Sequence, residues 1–471
     1  MPRVDLPKAP GLALLLLALS ACTIGPDYSR PPVDTPIAFK EMGPWKPADP
    51  QDLKDRGAWW EIYGDEELNR LVPQVVASNQ NLKVFEARFR AAEAAAAGAR
   101  ANLYPTAGAG ANTSTGQTSG GSGAVSRNTG RTSSSQGSLS AGWVPDIWGA
   151  VRRSVESADA TTQASAADLA AATLSAQSAL VQNYLALRYA EATYKLLTGT
   201  AESYQRQLQL VQNQYAVGTA SPADIAQAET QLRATQAQAI DMEATRAQLE
   251  HAIALLLGVP ASTFTLAEGE LPDVPERLPV DVPSSLLERR PDIGAAERRM
   301  AAANAQIGVA LSGYYPQISL SATGSLVGSS LANWWDLPTR VWSVGAALSQ
   351  MLFDGGATAA QTAQARANYD GTIASYRNTV LTAFQEVETS LSNLSVLERE
   401  AVVQNLAVTS ARRSEELTIN QYRAGTVSYL NVLVIQAQTL SNERAALAVQ
   451  NRRLQASVQL IEALGGGWAG G

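Results

Sequence analysis

The sequence has 471 residues, of which 17% are charged and 6% aromatic, and its formal net charge is -7. This acidic balance offers no basic surface of the kind that binds nucleic acid. The chain contains one cysteine and one histidine, His251. A disulfide within one chain and a metal site built from several histidines are therefore excluded.

The N-terminus begins with a short cationic region and an apolar run. Arg3 and Lys8 precede apolar residues 11–19, which are too few to span a bilayer as a helix but are typical of a secretory signal peptide. The following Leu19-Ser20-Ala21-Cys22 resembles the bacterial lipoprotein box. This resemblance implies cleavage after residue 21, acyl chains such as palmitate on Cys22, and, because no aspartate follows, sorting to the outer membrane. The alternative is an unmodified cysteine in an ordinary secretory leader.

An internal repeat divides the remaining chain into two halves. Gln214–Ser221 matches Gln421–Ser428 at an offset of 207 residues, and Pro105 matches Pro316 at an offset of 211. Each half reads as helix, strand, loop, strand, long helix, tight turn and helix. A repeated supersecondary plan of this kind predicts two copies of one structural unit.

Alternating side chains predict strands in both halves. After Pro316, apolar residues and one glycine occupy the even positions 318–326 and polar residues the odd positions 317–325. Similar alternation runs through residues 342–349 and 138–143, whereas the segment after Pro105 is mostly Ala, Gly and Thr and is the weakest of the four predicted strands. Residues 116–137 are nearly all Gly, Ser, Thr and Asn, so they are predicted to form a solvated loop.

Two proline-free segments predict unusually long helices. Residues 150–217 and 357–424 each contain 68 residues, enough for a helix of about 100 Å. Gly199 could interrupt the first helix locally. Apolar residues at three- and four-residue spacing indicate a packed seam, and for these helices alone a dimeric structural coiled coil remains an alternative to a tunnel.

Four amphipathic strands cannot close a membrane barrel, because known barrels have at least about eight strands and an open edge leaves backbone groups unpaired in lipid. We therefore expect several copies of the chain to share one cylinder. Aromatic residues at or beside the strand ends fit a membrane interface. These residues are Tyr104, Trp143, Trp148, Tyr314, Tyr315, Trp342 and Phe353.

Several motifs resemble the outer-membrane efflux protein family, in its TolC-like NodT and OprM branch. They are Leu287–Ile293, Ala302–Gly308, Tyr315–Leu320, Trp59-Trp60, Tyr422–Thr426, Phe353–Gly356 and Ala463–Trp468. The resemblance implies a mainly α fold with membrane β: a trimeric twelve-stranded transmembrane barrel, four strands per subunit, continuous with a long periplasmic α-helical barrel and a mixed equatorial domain. It also implies a periplasmic adaptor, an inner-membrane RND-type transporter and outer-membrane lipid as partners. No cofactor is expected apart from the covalent lipid on Cys22.

The repeat and the motifs together define the expected domain boundaries. In chain order these are the signal peptide 1–21, an extended N-terminal and equatorial arm 22–64, a helix 65–102, the strand-loop-strand segment 103–148, the long and return helices 150–258, a proline-rich equatorial link 259–283, a helix 284–313, the second strand-loop-strand segment 314–353, the second long and return helices 357–464, and a tail 465–471.

The two tight turns are the predicted periplasmic aperture. Gly218 and Gly425 permit the positive φ of a tight turn. By resemblance, Leu430 matches a leucine ring, Asp224 an acidic position, and Tyr422 a tyrosine that locks the hairpins. Tyr215 stands at the equivalent position of the first turn. Arg423 is a candidate lock partner for an acidic group, and the alternative is a solvated arginine at the helix tip.

The second turn departs from the family pattern. Asn431 and Val434 stand where relatives commonly have aspartates. The predicted aperture is therefore apolar and steric, formed by Leu430 and Val434, with a weak preference for cations.

The leading interpretation is a passive exit duct of a tripartite multidrug efflux system, without enzymatic activity. A duct for a protein-secretion system stays open, as does a lipid-anchored periplasmic coiled-coil scaffold without a pore. A secreted hydrolase using a serine and His251 is disfavoured, because no glycine-rich nucleophile turn or acidic partner is evident.

Overall fold

The computed structural model describes residues 23–32, 50–117, 131–275, 290–328 and 340–466, without the side chains of residues 50–56 and 131–132. Several predicted features lie outside these ranges. They are the signal peptide 1–21, Cys22, the centre of the loop between the first two strands, the end of the link 259–283, the start of the helix 284–313, and the tail beyond residue 466.

The described residues form long helices and one sheet in the predicted order. The first half contains α1 (Glu66–Ser78), α2 (Gln80–Ala101), β1 (Thr106–Gln117), β2 (Arg131–Trp143), α3 (Ala150–Ala216) and α4 (Pro222–Leu256). The second half contains α5 (Pro291–Ser312), β3 (Gln317–Gly328), β4 (Arg340–Ser349), α6 (Ala357–Arg423) and α7 (Tyr429–Ala463). Short 3-10 helices cover Pro50–Tyr63 and Ala261–Thr263.

The predicted helix 65–102 is divided at Asn79. Asn79 has an extended backbone, with ψ at 122°. Its side-chain oxygen accepts hydrogen bonds from the amides of Asn81 and Leu82, so it caps α2. Its side-chain amide also donates to the Leu256 carbonyl at 2.8 Å, which ties this break to the end of α4.

Three further expectations are corrected. The predicted loop 116–137 is too long at both ends, because β1 runs to Gln117 and β2 begins at Arg131. The arm 22–64 is not extended throughout, since its last residues form the 3-10 helix. Gly199 does not interrupt α3, whose neighbouring Leu197 is fully buried in a packed cluster, and packing of this kind outweighs the low helix propensity of one glycine.

The four strands form one antiparallel sheet in the order β1-β2-β3-β4. The register of the strands aligns apolar residues with apolar residues. For example, Ala107, Ala141, Ala322 and Val344 are successive cross-strand neighbours. Because side chains alternate along each strand, the apolar residues of all four strands lie on one face. That face carries Ala107, Ala109, Leu139, Ala141, Trp143, Ile318, Leu320, Ala322, Trp342, Val344, Ala346 and Leu348.

The chain divides into two compact units. One contains Arg90–Ala164 and Ala296–Ser375 with the residues before Pro32, and includes the sheet. The other contains Pro32–Phe89, Ser165–Ala295 and Tyr376–Gly471, and includes both hairpin turns. Within the described residues, no helix combines the length and apolar character that crossing a bilayer requires.

Candidate aperture at the two hairpin turns

Both hairpin turns have the same backbone geometry. Gly218 and Gly425 adopt φ of +81° and +76°, a conformation that disfavours residues with a side chain. In the first turn the amide of Gly218 donates to the Tyr215 carbonyl and that of Thr219 to the Gln214 carbonyl, both at 2.9 Å. The second turn repeats these bonds 207 residues later, so each long helix ends in a Schellman motif that satisfies its last carbonyls.

The helices after the turns are capped differently. The Ser221 hydroxyl accepts from the Asp224 amide, and the Asp224 carboxylate accepts from both the amide and the hydroxyl of Ser221 at 2.8 Å. This capping box fixes the start of α4. In the second turn Ser428 is the N-cap of α7 but makes no side-chain capping bond. The acidic position predicted for the aperture therefore also holds its own turn together.

An apolar cluster joins the two hairpins beside the turns. Tyr429, at the start of α7, is 3% exposed and packs into it. The buried members come from three helices: Tyr204, Leu208 and Val211 of α3, Ala228 and Leu232 of α4, and Tyr429 and Val432 of α7. The burial of two aromatic rings and several aliphatic side chains supplies the main attraction between the hairpins.

Tyr422 adds a polar contact between the hairpins. Its hydroxyl donates to Oε1 of Gln214 on the other hairpin, and its ring lies 5.5 Å from that of Tyr429. Burial, and then the negative charge of Asp224, raise the pKa of Tyr422 above its usual value of 10.0. The phenol therefore keeps its proton, and remains a donor, throughout the physiological pH range.

The remaining predicted aperture residues are exposed. Leu430 and Val434 lie one turn apart on α7 and are 53% and 59% exposed, with Asn431 exposed beside them. Tyr215 and Arg423 are also exposed. Arg423 makes no ion pair within the described part of the chain that would tie it to the turn. The structure thus brings Tyr422 into the contact between the hairpins, holds Asp224 in the cap of its own turn, and leaves Leu430, Asn431 and Val434 exposed.

Sequence reasoning missed two residues of this site. Gln214 lay within the repeated motif, but its role as the acceptor for Tyr422 depends on a contact between residues 208 positions apart. The capping role of Ser221 had a local signal, because Ser221 and Asp224 have the spacing of a capping box.

Among the described residues no group of histidine, cysteine or carboxylate side chains has the arrangement of a metal site, and His251 is exposed.

The chain is similar to known outer-membrane proteins over nearly its whole length. The family profile "Outer membrane efflux protein" matches residues 71–259 and 282–466. The pyoverdine export outer membrane protein OpmQ of Pseudomonas aeruginosa is 31% identical over 463 residues, covering 96% of this chain and 97% of that protein. Nodulation protein T of Rhizobium leguminosarum bv. viciae is 32% identical over 470 residues, covering 97% and 93%.

A solved structure of the outer-membrane channel OprN superposes with a TM-score of 0.86 at 31% identity, covering 94% of this chain and 99% of that one. This agreement confirms the fold class expected from the sequence. The chain therefore belongs to the outer membrane efflux protein family and is an efflux channel protein of the outer membrane with a periplasmic part.

Proposed function

We propose that three copies of this chain form the exit duct of a tripartite efflux system. The duct receives drugs and other small toxic compounds from an RND-type transporter of the inner membrane through a periplasmic adaptor, and passes them outward without chemical change. Cys22 carries acyl chains that hold the N-terminus in the outer membrane. The strands close a twelve-stranded barrel, and the long helices form a tunnel.

The register of the sheet is the observation that carries this proposal. All four strands place apolar residues on the same face, and Leu139, Val344 and Leu348 on that face are 68%, 75% and 68% exposed. Beta-strands β1 and β4 are the outer strands of the described sheet, so each has one free edge. An apolar face and two open edges are stable in a bilayer once copies join edge to edge around a water-filled centre.

The aperture of this duct is apolar. Threefold symmetry repeats Leu430 and Val434 as rings of exposed apolar side chains, with Asn431 between them. The carboxylate of Asp224 accepts hydrogen bonds from the amide and the hydroxyl of Ser221, which hold it in the capping box of its own turn. We expect weak selectivity for cations, and Tyr422 keeps the hairpins closed at rest.

Deletion of the gene tests the proposal. The deletion strain should become more susceptible to a panel of antibiotics and detergents, and the wild-type gene should restore resistance. Purified wild-type protein should run as a heat-modifiable trimer and conduct ions in planar bilayers. Unchanged susceptibility together with a monomer that carries no current would refute the duct.

Pyoverdine is a second candidate cargo. It is favoured by the similarity to OpmQ, whose name describes pyoverdine export, over 96% of this chain. The same deletion strain, supplied with pyoverdine in its periplasm, tests this candidate. A pyoverdine cargo would accumulate in the periplasm, whereas a drug-specific duct would leave pyoverdine export unchanged.

A further inference from the structure

The N-terminal segment Thr23–Arg30 lies on the unit that contains the sheet. The amide of Ile24 donates to the Trp148 carbonyl at 3.2 Å, just before α3. The side-chain amide of Asn304 on α5 donates to the Pro26 carbonyl at 2.9 Å. These bonds connect the segment to both halves of the chain, although it shares no regular secondary structure with either.

Arg153 on α3 binds the backbone of this segment. Its side chain is 5% exposed and donates to the carbonyls of Ile24 and Gly25, each at 3.3 Å. It also bonds the carboxylates of Asp27 and Glu156 at 2.7 Å. Asp27 is almost fully exposed, so that ion pair contributes little, and the partly buried bonds to the two carbonyls are the stronger restraint on where the segment lies.

Glycines allow the close approach. A Cβ at Gly25 would lie 2.6 Å from the Cα of Gly308, and Gly25 has φ of +106°. A Cβ at Gly308 would lie 2.8 Å from Cγ of Arg153 and 2.9 Å from the Ile24 carbonyl oxygen. Contacts below 3.0 Å cannot be accommodated without movement, so a larger residue at either position would separate the segment from α5.

We propose that Arg153, Asn304 and Gly308 form a recognition site for the chain's own N-terminal segment, and that this site positions the residue that carries the lipid. The proposal rests on the acylation of Cys22 proposed above. Thr23, the first residue of the docked segment, directly follows Cys22 in the sequence. The site, and not the acyl group, holds the segment beside α3 and α5.

The site also connects the segment to the start of the sheet. Trp148 accepts the bond from Ile24, donates its indole N–H to the Pro316 carbonyl at 2.7 Å, and stacks on Tyr315 at 5.1 Å. Pro316 immediately precedes β3. Docking of the segment therefore ties Ile24, two residues after the proposed lipid attachment point in the sequence, through Trp148 to the end of the sheet where β3 begins.

Hydrogen exchange of the full-length protein in detergent micelles tests this site. The observable is the exchange rate of the peptide that contains Ile24, whose amide is bonded to Trp148. Four proteins are compared: wild type, Cys22→Ala behind an ordinary secretory leader, Gly308→Ala, and Gly98→Ala as the matched control. Gly98 lies in α2, and no atom is within 4 Å of a Cβ added there.

The expected result is slow exchange in wild type, Cys22→Ala and Gly98→Ala, and exchange at least about tenfold faster in Gly308→Ala. Fast exchange in Cys22→Ala would overturn the proposal, because the lipid would then hold the segment. Unchanged slow exchange in Gly308→Ala would overturn it as well.

A second variant guards against a failure of Gly308→Ala to fold. Gly25→Ala changes only the docked segment and should give the same fast exchange while α5 stays protected. The mass of the N-terminal fragment of the wild type reports acylation, and ion current in bilayers reports the duct. Failure of either proposed function is therefore distinguishable from failure of the recognition site.

Discussion

Removal of one hydroxyl group tests whether Tyr422 holds the hairpins together. In Tyr422→Phe the ring keeps its contact with Tyr429 at 5.5 Å, whereas the hydrogen bond to Gln214 is lost. A neutral hydrogen bond contributes about 1 kcal/mol net, which changes the ratio of closed to released hairpins about fivefold in one protomer. If three protomers release together, as a symmetric duct requires, the ratio changes about a hundredfold.

The measurement is the open fraction of single channels formed by purified protein in planar bilayers at neutral pH. Tyr422→Phe should increase the open fraction, and Gln214→Leu should have a similar effect because it removes the other partner of the bond. The double variant should add little to either single substitution. Tyr215→Phe is the matched control, since Tyr215 occupies the same position of the first repeat and is 48% exposed.

The pH dependence has a defined sign. The pKa of Tyr422 is raised in the folded protein, first by burial and then by Asp224. The stabilisation by its hydroxyl is therefore fully present below the unfolded value of 10.0 and is lost as the pH rises through the folded value. Two results would refute this reasoning. One is that Tyr422→Phe and Gln214→Leu have additive effects in the double variant. The other is that the aperture opens at neutral pH because Tyr422 loses its proton.

Three further comparisons, made with five substitutions, test the turns and the aperture. Ser221→Ala should lower the free energy of unfolding by about 1 kcal/mol, whereas Ser428→Ala, at an N-cap without a side-chain bond, should change Tm little; equal effects would contradict the capping assignment. Gly218→Ala should destabilise the protein by about 1 kcal/mol because its φ is positive, while Gly199→Ala, in a helix with no atom near an added Cβ, should stabilise it by about the same amount. Shifts in Tm of the same sign for Gly218→Ala and Gly199→Ala would refute these two predictions. Asn431→Asp should increase the cation selectivity measured from reversal potentials and introduce block by trivalent cations; strong trivalent block of the wild type would contradict an apolar aperture.

The order of elements was predictable because the same order occurs twice in the sequence. The repeat at an offset of 207 fixed the two helical hairpins, and alternation fixed β3 and β4. The extent of β1 and β2 was not predictable, because backbone pairing does not require apolar side chains. Ser135 illustrates this: its hydroxyl bonds that of Thr113 across strands at 3.3 Å, although Ser135 lies within residues 116–137, which composition alone assigns to a loop.

Contacts between distant residues were beyond the reach of a single sequence. The Tyr184 hydroxyl donates to Asp65 at 2.6 Å, and Arg188 bonds both Tyr184 and the buried Glu191. Asp65 is the N-cap of α1 and lies 119 residues from Tyr184, so the sequence gives no sign of their contact, whereas the contacts of Arg188 with Tyr184 and Glu191 lie within α3. The acceptor Gln214 was missed for the same reason, whereas the capping box was local and could have been recognised.

The two turns differ in charge at one position of the repeat. Asp224 and Asn431 are both the third residue of their helices, yet Asp224 binds Ser221 with its carboxylate and Asn431 forms no such box. The charge at the first turn is therefore committed to local stability, while the second turn presents Leu430 and Val434 beside a neutral side chain. The two turns therefore share one backbone geometry but are stabilised differently. The first is stabilised by its own capping box, whereas the second lacks a side-chain cap and depends on contacts with the other hairpin. The bond between Tyr422 and Gln214 is one of those contacts, which is why its loss should act on the aperture and leave the barrel intact.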